Sequence, residues 1–306
     1  MRELSRPLTL TLTEVIVINF AIIPNLTREN AAQVTRRICS QLDRFSAEYT
    51  IDRAYREIFA DTSAEFLEEE EMLRRCTALI TVGGDGTIIH SAKKAALHAK
   101  PVLGINAGRL AFMAGLESHE LDLLGKLISG DYEIDRRMML KTVVSHDGTD
   151  INCGYSINDT TFMRAGKLGI SELNVDLNGR HFNKYLGDGI IIATPTGSTA
   201  YSLSAGGPVV DPQLEGIILT PVCSHSVFSR SLVFGAGSEL SVTSAGGSDF
   251  SFSCDGDEPI TVPACGRVRI VKAEINAEFI RLKSDNFLDI LNRKMIQWNK
   301  DSETVF

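Results

Sequence analysis

A glycine-rich turn constrains this chain more than any other feature of its sequence. Residues Gly83 to Thr87 (G-G-D-G-T) follow an apolar run at 78–82 and precede a helical pattern from Ile88 to Leu97. Glycines let the backbone turn tightly and approach a ligand, and the start of the helix offers unpaired N–H groups to phosphate. An ordinary strand-to-helix turn does not need three glycines around a carboxylate. The pattern therefore favours a phosphate-binding loop, although it is neither a Walker A loop nor a G-x-G-x-x-G fingerprint. We call residues 83–87 the GGDGT loop.

The pattern of apolar residues changes near residue 130, which predicts two domains. Before it, short apolar runs alternate with helical patterns, as in βαβ units. We predict strands at 15–18, 78–82 and 102–105, a helix capped by Thr27 and a second helix around 64–75. This is an α/β, Rossmann-like domain, which we place at residues 1–120.

The second part of the chain has the pattern of a β-rich, sandwich-like domain, which we place at 121–283. Residues 172–177 alternate apolar and polar side chains, and Asn178-Gly179 is a type I′ hairpin signal. Further strands are predicted at 217–219, 240–243, 268–271 and 279–282. Apolar residues return to helical spacing after Ser284, so we predict a C-terminal helix at 284–306 that packs back on the first domain.

Composition narrows the class of protein. The chain has 306 residues, 43% of them hydrophobic, and a net charge of -8. No stretch concentrates Lys and Arg, so nucleic acid is not expected as a partner. The apolar runs are too short to span a bilayer. The six cysteines lie far apart without a C-x-x-C pair, which argues against zinc and disulfides. We predict a cytoplasmic protein without membrane contact.

A second unusual segment lies near residue 200. Gly187-Asp188-Gly189 and an apolar run at 190–193 precede residues 194–208, T-P-T-G-S-T-A-Y-S-L-S-A-G-G-P. A strand followed by many small hydroxyl residues, Gly and Pro is typical of a rigid loop whose polar groups recognise a planar base. We call residues 194–208 the hydroxyl loop.

Taken in order, these segments resemble the signature of the NAD kinase family. The matching segments are the GGDGT loop, Gly104 to Phe112 (G-I-N-A-G-R-L-A-F), Asn158-Asp159, residues 187–208 and Leu219 to His225 (L-T-P-V-C-S-H). A G-G-D-G-T loop alone is shared with lipid kinases, whereas the hydroxyl loop is highly specific. Asp159 stands where many members have Glu, Ala111 replaces a usual Gly, and Pro24-Asn25 lacks the lysines of the family's early loop.

The resemblance implies an enzyme that transfers a phosphoryl group from ATP, or another donor, to the 2′-hydroxyl of the adenosine ribose of NAD. It implies Mg²⁺ or another divalent cation and a homodimer or homotetramer with sites near subunit contacts. Asp85 would receive the hydroxyl proton, and Gly84 and Gly86 would bring backbone toward the phosphates. Asn158 and Asp159 would bind the nicotinamide-side ribose and amide. The remaining candidates for binding NAD are Arg109, Phe112, Asp188, Thr196, Thr199, Ala200, Tyr201 and Ser204.

Several alternatives stay open at this stage. Asp85 can hold Mg²⁺ instead of accepting a proton. A lipid acceptor, as in diacylglycerol or sphingosine kinases, would also use a G-G-D-G-T loop, although the hydroxyl loop suits adenine better than an acyl chain. A non-catalytic NAD-binding regulator is a third possibility. Asp255-Gly256 is interpreted as a polar turn rather than a cation site, since its spacing is not that of a Ca²⁺ loop.

Overall fold

The first half of the chain forms a parallel sheet with helices on both faces. The computed structural model describes residues 19–108, 111–146, 149–165, 170–225, 229–284, 287–292 and 296. The predicted strand at 15–18 lies outside these residues. The elements of this half are β1 (Asn19–Pro24), α1 (Ala31–Arg44), β2 (Glu48–Asp52), β3 (Glu65–Leu67), α2 (Glu69–Arg75), β4 (Ala78–Gly83), α3 (Asp85–Leu97), β5 (Val102–Asn106), β6 (Leu116–Glu117) and α4 (Leu124–Ser129).

Burial on both faces explains why these strands are continuous apolar runs. The parallel order is β5-β4-β1-β2-β3, and every residue of β4 is buried. Helix α1 covers one face through Ile38 and Leu42. Helix α3 covers the other through Ile88 and Ala92. The GGDGT loop therefore lies at the carboxyl end of a central strand, where open α/β sheets bind ligands.

The second half is built almost entirely from antiparallel strands. They are β7 (Glu133–His146), β8 (Thr149–Ser156), β9 (Asp159–Arg164), β10 (Ser171–Leu177), β11 (Arg180–Gly187), β12 (Gly189–Ala193), β13 (Gly216–Val222), β14 (Leu232–Gly235), β15 (Leu240–Ser244), β16 (Phe250–Cys254), β17 (Ile260–Val262) and β18 (Arg267–Arg281), with a short helix α5 (Tyr201–Ser204) after β12. Short 3₁₀ helices occupy Arg53–Tyr55, Leu121–Leu123 and Thr196–Thr199.

These strands form two layers with a core between them. Strands β14-β13-β12-β9-β16-β17 make a six-stranded antiparallel sheet. It packs on β7, β10, β15 and β18, which together with β8 and β11 extend the parallel sheet to 12 strands. Strand β18 joins the two parts, because its first residues pair with β15 and Phe279 pairs with Val102 of β5. The predicted α/β domain and β-sandwich are confirmed.

Local differences from the sequence expectations have simple causes. The helix expected around 64–75 begins only at Glu69, because Glu65–Leu67 pair with β2. Helix α1 begins after Asn30 instead of Thr27, whose hydroxyl donates to the Asn25 side chain. The two strands expected at 268–271 and 279–282 form one strand, β18, with an irregularity between Lys272 and Asn276.

The hairpin and the C-terminal helix follow the sequence expectations. Asn178 and Gly179 have φ of 50° and 74°, as a type I′ turn requires. Residues 287–292 and 296 are helical, whereas residues 285–286, 293–295 and 297–306 of the predicted helix lie outside the described residues. Ile290 lines a cavity together with Ala111 and Glu120 of the first half of the chain. The domain boundaries at 120 and 283 stay a prediction.

Gly189 tests the packing of the six-stranded sheet. Its strand lies between β9 and β13, and a Cβ atom there would lie 2.0 Å from the Phe162 carbonyl oxygen. We expect Gly189→Ala to destabilise the fold by about 3 kcal/mol or more, seen as a lower thermal midpoint. Gly235→Ala is the control, since a Cβ there meets nothing within 4 Å. Equal midpoints for the two variants would contradict this packing.

Candidate functional site

The carboxylate of Asp85 connects the GGDGT loop to the segment after β5. Its two oxygens accept hydrogen bonds from the backbone N–H groups of Phe112 and Met113, at 3.0 and 2.8 Å. The first helical bond of α3 runs from Ile88 N–H to the Gly84 carbonyl, so the N–H groups of residues 85–87 precede the helical ladder. Gly83 is required, because a Cβ there would lie 2.7 Å from Thr87. The loop thus presents a fixed carboxylate beside a helix N-terminus.

The Asn158-Asp159 pair forms a tight connection between β8 and β9. The backbone N–H groups of Ile157, Asn158 and Asp159 all donate to the carboxylate of Asp255, at 2.8, 2.8 and 3.0 Å. The side chain of Asp159 is buried and accepts a hydrogen bond from the Thr161 hydroxyl. Burial and then the negative charge of Asp255 raise the pKa of Asp159 to about 6. This pair is therefore held in place from its backbone.

Several hydroxyl groups of the hydroxyl loop form hydrogen bonds within the protein. Thr194 donates its N–H to the Asn158 carbonyl at 2.8 Å, and its hydroxyl accepts from Gly197 N–H at 3.1 Å. The Ser198 hydroxyl bonds both backbone groups of Val210. Ser202 shares a hydrogen bond with Thr220 at 2.9 Å. These groups stiffen the loop, and they explain much of a composition that the sequence suggested was for a ligand.

One cavity brings several predicted residues together. It has a volume of about 500 Å³ and is lined by Phe112, Met113, Thr196 and Thr199, among others. Since Phe112 and Met113 are the two residues that Asp85 binds, the carboxylate lies directly behind one wall of this cavity. The GGDGT loop and the hydroxyl loop thus approach the same space, although more than a hundred residues separate them in sequence.

A second, larger cavity borders the GGDGT loop. It measures about 1090 Å³ and is lined by Gly86, Thr87, His90 and Lys94 of α3, by Asn25 after β1 and by acidic residues that include Asp255 and Asp257. The Asn25 side chain donates to the Thr87 hydroxyl at 2.7 Å. Asp85 lies next to both cavities through its neighbours, because Phe112 and Met113 line the first and Gly86 and Thr87 line the second.

Other predicted residues do not line the first cavity. Asp188 is exposed at the start of β12, whereas the hydroxyl loop begins at its end, a distance of roughly 16 Å along a strand of this length. Tyr201 and Ser204 are exposed at α5, and Ala200, next to Thr199 in the chain, is half-buried. Arg109 lies outside the described residues.

The sequence expectations missed an ionic cluster in the wall of the first cavity. The carboxylate of Asp135 binds Arg137 at 2.6 Å and Arg281 at 3.0 Å, and Arg137 also donates to the Thr196 hydroxyl at 3.4 Å. Burial opposes it, but the hydrogen bonds and charges of the two arginines lower the pKa of Asp135 to about 2. Asp135 and Arg137 lie on β7 and Arg281 lies on β18. These strands pair only in the folded chain, so no local sequence motif predicts the cluster.

A parallel sheet with a glycine-rich loop at a helix N-terminus, and a carboxylate fixed beside two cavities, suits phosphoryl transfer and points to the class of small-molecule kinases. Sequence models of the ATP-NAD kinase N-terminal domain and of the ATP-NAD kinase C-terminal domain match residues 20–132 and 157–282. The chain belongs to the NAD kinase family. This confirms the resemblance, and with it the activity of an NAD kinase.

Individual relatives support the same conclusion. The chain is 39% identical to the NAD kinase of Rhodococcus opacus over 72% of its own length and 69% of the relative. It is 33% identical to the NAD kinase of Mycolicibacterium paratuberculosis, covering 87% of this chain and 92% of that one.

Solved structures share the fold. Yeast NADH kinase complexed with NADH has a TM-score of 0.83 at 20% identity, covering 92% of this chain and 88% of that one. An NAD kinase from Archaeoglobus fulgidus in complex with ATP has a TM-score of 0.69 at 23% identity, covering 87% and 94%.

The raised pKa of Asp159 makes a prediction about stability and pH. An unfolded Asp titrates near pH 4, and Asp159 titrates at about 6 when folded. Between these values the folded protein binds more protons than the unfolded chain, so this group lowers stability as the pH rises. We expect Asp159→Asn to raise the free energy of unfolding by about 2 kcal/mol at pH 7.5 and by much less at pH 4.5. The change is measured as a higher thermal midpoint.

The control for this measurement is Asp131→Asn, because the Asp131 side chain is 75% exposed. Its midpoint should follow that of the natural protein at both pH values. An Asp159→Asn variant whose advantage is the same at pH 4.5 and 7.5 would show that Asp159 does not titrate in this range.

Proposed function

We propose that Asp85 accepts the proton of the 2′-hydroxyl of the adenosine ribose of NAD while a phosphoryl group arrives from ATP. The observation that supports this most strongly is that the residues bonded to the Asp85 carboxylate line the first cavity, while the residues that follow Asp85 in α3 line the second. A group that receives the proton of an attacking hydroxyl must lie between acceptor and donor, and its geometry matters more than its basicity.

The second cavity is the donor side in this proposal. Its wall contains the first turn of α3, whose N–H groups favour an anion, and Lys94, which is ion-paired with Glu69. Asp255, Asp257 and Glu258 also line it, so an anionic donor needs the positive charge of a cation on this side. ATP fits this side as the donor, and the related Archaeoglobus fulgidus enzyme was solved in complex with ATP. Gly86 has no atom within 4 Å of the place where a Cβ would stand. Phosphate oxygens can therefore approach the backbone there closely.

The first cavity is the acceptor side. Phe112, Thr196 and Thr199 lie in its wall, and the Asn158 carbonyl is tied to the start of the hydroxyl loop by Thr194 N–H. The related yeast enzyme was solved with NADH. We assign NAD to this side, with Asn158 and Asp159 at the nicotinamide-side ribose and amide. Ala200, Tyr201 and Ser204 are assigned to the adenine.

The carboxylate of Asp85 can hold the backbone of Phe112 and Met113 in the cavity wall and accept a proton at the same time. Each oxygen of a carboxylate offers two lone pairs, and the N–H groups of Phe112 and Met113 use one on each oxygen. In the proposed complex, an oxygen of this carboxylate also accepts the hydrogen bond from the ribose hydroxyl. As the donor phosphoryl group approaches, that hydroxyl becomes more acidic, so an aspartate suffices as the proton acceptor.

We also propose that Mg²⁺ accompanies the donor. The described residues contain no group of three or more His, Cys, Asp or Glu side chains placed to hold a metal. This fits an ion held mainly by donor phosphates and water with one carboxylate, the usual arrangement for Mg²⁺. Asp85 is the carboxylate nearest the first turn of α3. When bound, the ion supplies positive charge against the phosphates.

The chain is proposed to work in the cytoplasm as a homodimer or homotetramer. Among the described residues, no helix is both long enough and apolar enough to cross a bilayer. Val233 of β14 is 55% exposed and pairs with Ile218 on the face of the six-stranded sheet that points away from the core between the sheets. An exposed apolar side chain on this face supports contact with a second copy.

Sedimentation tests the proposed assembly. The mass of one chain is 33.4 kDa, so we expect a species of two or four times that mass. Val233→Glu should shift it toward the monomer, because a charge in an apolar contact is costly. Glu239→Gln, on the exposed turn before β15, is the control. A natural protein that sediments as a monomer at micromolar concentration would refute the proposal.

The lipid kinase and the non-catalytic regulator gain no support, because the similar proteins described above are NAD or NADH kinases. NADP formation from NAD, ATP and Mg²⁺, followed with an NADP-specific dehydrogenase, tests the proposed function. The same assay with other nucleotides, polyphosphate or NADH establishes the range of donors and acceptors.

Asp85→Asn tests the role of the carboxylate. We expect kcat to fall by about 10²–10⁴-fold, because an amide does not accept the hydroxyl proton. The dissociation constant of NAD, measured by calorimetry, should change little, since the side-chain oxygen of Asn still accepts one of the two N–H bonds. Asp131→Asn is the control and should keep natural turnover. Near-natural turnover in Asp85→Asn would remove Asp85 from the mechanism.

A further inference from the structure

The turn between β16 and β17 contains a carboxylate in an unusual place. Asp255 and Gly256 have φ of 53° and 75°, the conformation that Asp-Gly commonly adopts in a tight turn between antiparallel strands. The side chain of Asp255 is only 2% exposed, although turn carboxylates are normally solvated. Burial of this charge is costly and requires compensating contacts.

The compensating contacts lie on the Asn158-Asp159 connection. The carboxylate of Asp255 accepts the three consecutive N–H groups of residues 157–159, and Asp255 N–H donates to the Asp159 carbonyl at 2.9 Å. Three donors on one carboxylate determine the position of the backbone at 157–159 in all directions. The same backbone carries the Asn158 carbonyl that receives Thr194 N–H, so the start of the hydroxyl loop is fixed through it.

Lys93 connects this turn to the helix that begins at Asp85. It is buried on α3, about two turns after Asp85. Its ammonium group donates to the Cys254 carbonyl at 3.3 Å and to the Asp257 carboxylate, and it lies 3.9 Å from Asp255. His90, one turn earlier, approaches Asp257 at 3.4 Å. Helix α3 is therefore attached to the same turn that holds residues 157–159.

We propose that Asp255 is a positioning residue for NAD and that Lys93 aligns Asp85 with it. This rests on the proposed function, because it assumes that NAD contacts residues 158–159 and that Asp85 acts on its ribose. Phosphoryl transfer requires the hydroxyl, the carboxylate and the donor in line, and a displacement of about 1 Å costs about 10²-fold in rate. The pair forms a direct connection between the acceptor contacts and the catalytic helix.

Asp255→Asn is the first test. The Asn side chain has one accepting oxygen, and its amide group faces N–H donors, so residues 157–159 lose part of their support. We expect KM for NAD to rise about 10-fold or more and KM for ATP to rise by a smaller factor, because Asp255 also borders the donor cavity but its carboxylate binds residues 157–159. KM does not depend on the fraction of folded enzyme, so a merely structural role would lower the apparent kcat and leave KM for NAD unchanged.

Lys93→Met is the second test, and it stands even if Asp255→Asn fails to fold. It leaves the three bonds to residues 157–159 intact and removes the connection to α3. We expect kcat to fall about 10-fold with KM for NAD within about twofold of the natural value. The control is Asp249→Asn, because Asp249 is an exposed carboxylate that accepts a backbone N–H from Ala264 in the same half of the chain.

The outcomes separate this inference from the proposed function. A natural protein that forms no NADP with any donor overturns the proposed function. A natural protein that forms NADP, with Asp255→Asn keeping KM for NAD and Lys93→Met keeping kcat within about twofold, overturns this inference alone. A rise in KM for NAD in Asp255→Asn together with a fall in kcat in Lys93→Met supports it.

Discussion

The architecture depends on strand β18, which joins the parallel and the antiparallel part of the 12-stranded sheet. Strand β18 pairs with β7 along its length, with β15 near its start and with β5 near its end. Helix α3 packs on it, so that Ile88 and Ala92 share a core with Ala273, Ala277 and Phe279. This packing fixes the distance between the GGDGT loop and the β-rich half. Without it, two segments distant in sequence would have no reason to face a common cavity.

Hydrogen bonds from side chains to backbone hold the segments of the site in place. Asp85 binds backbone N–H groups of the segment after β5, and Asp255 binds those of the Asn158-Asp159 connection. The hydroxyl loop uses Thr194, Ser198 and Ser202 for its own bonds. Most of these polar side chains fix backbone, and Asp85 does so in addition to its proposed contact with the ribose. Preorganised polar groups of this kind supply much of the advantage of an enzyme over water.

How far the sequence predicts this structure depends on how local each signal is. The GGDGT loop and the Asn178-Gly179 hairpin are encoded by adjacent residues, and both were predicted. Asp255 was correctly interpreted as a turn residue, but its partners lie 96 to 98 positions away, and only folding shows that its carboxylate is buried. The cluster around Asp135 likewise depends on the pairing of β7 with β18. Composition also overstated how many hydroxyl groups of the hydroxyl loop are available to a ligand.

The close approach of Gly197 to Asn158 affects how this pocket can be targeted. A Cβ at position 197 would lie 2.0 Å from the Asn158 carbonyl oxygen, so the two backbones are in contact and the loop has little room to swing. An inhibitor designed against the acceptor cavity would meet a wall that keeps its shape on binding. Rigid fragments that match this wall avoid the entropic cost of ordering a loop, and linking them should gain affinity more efficiently than adding flexible groups.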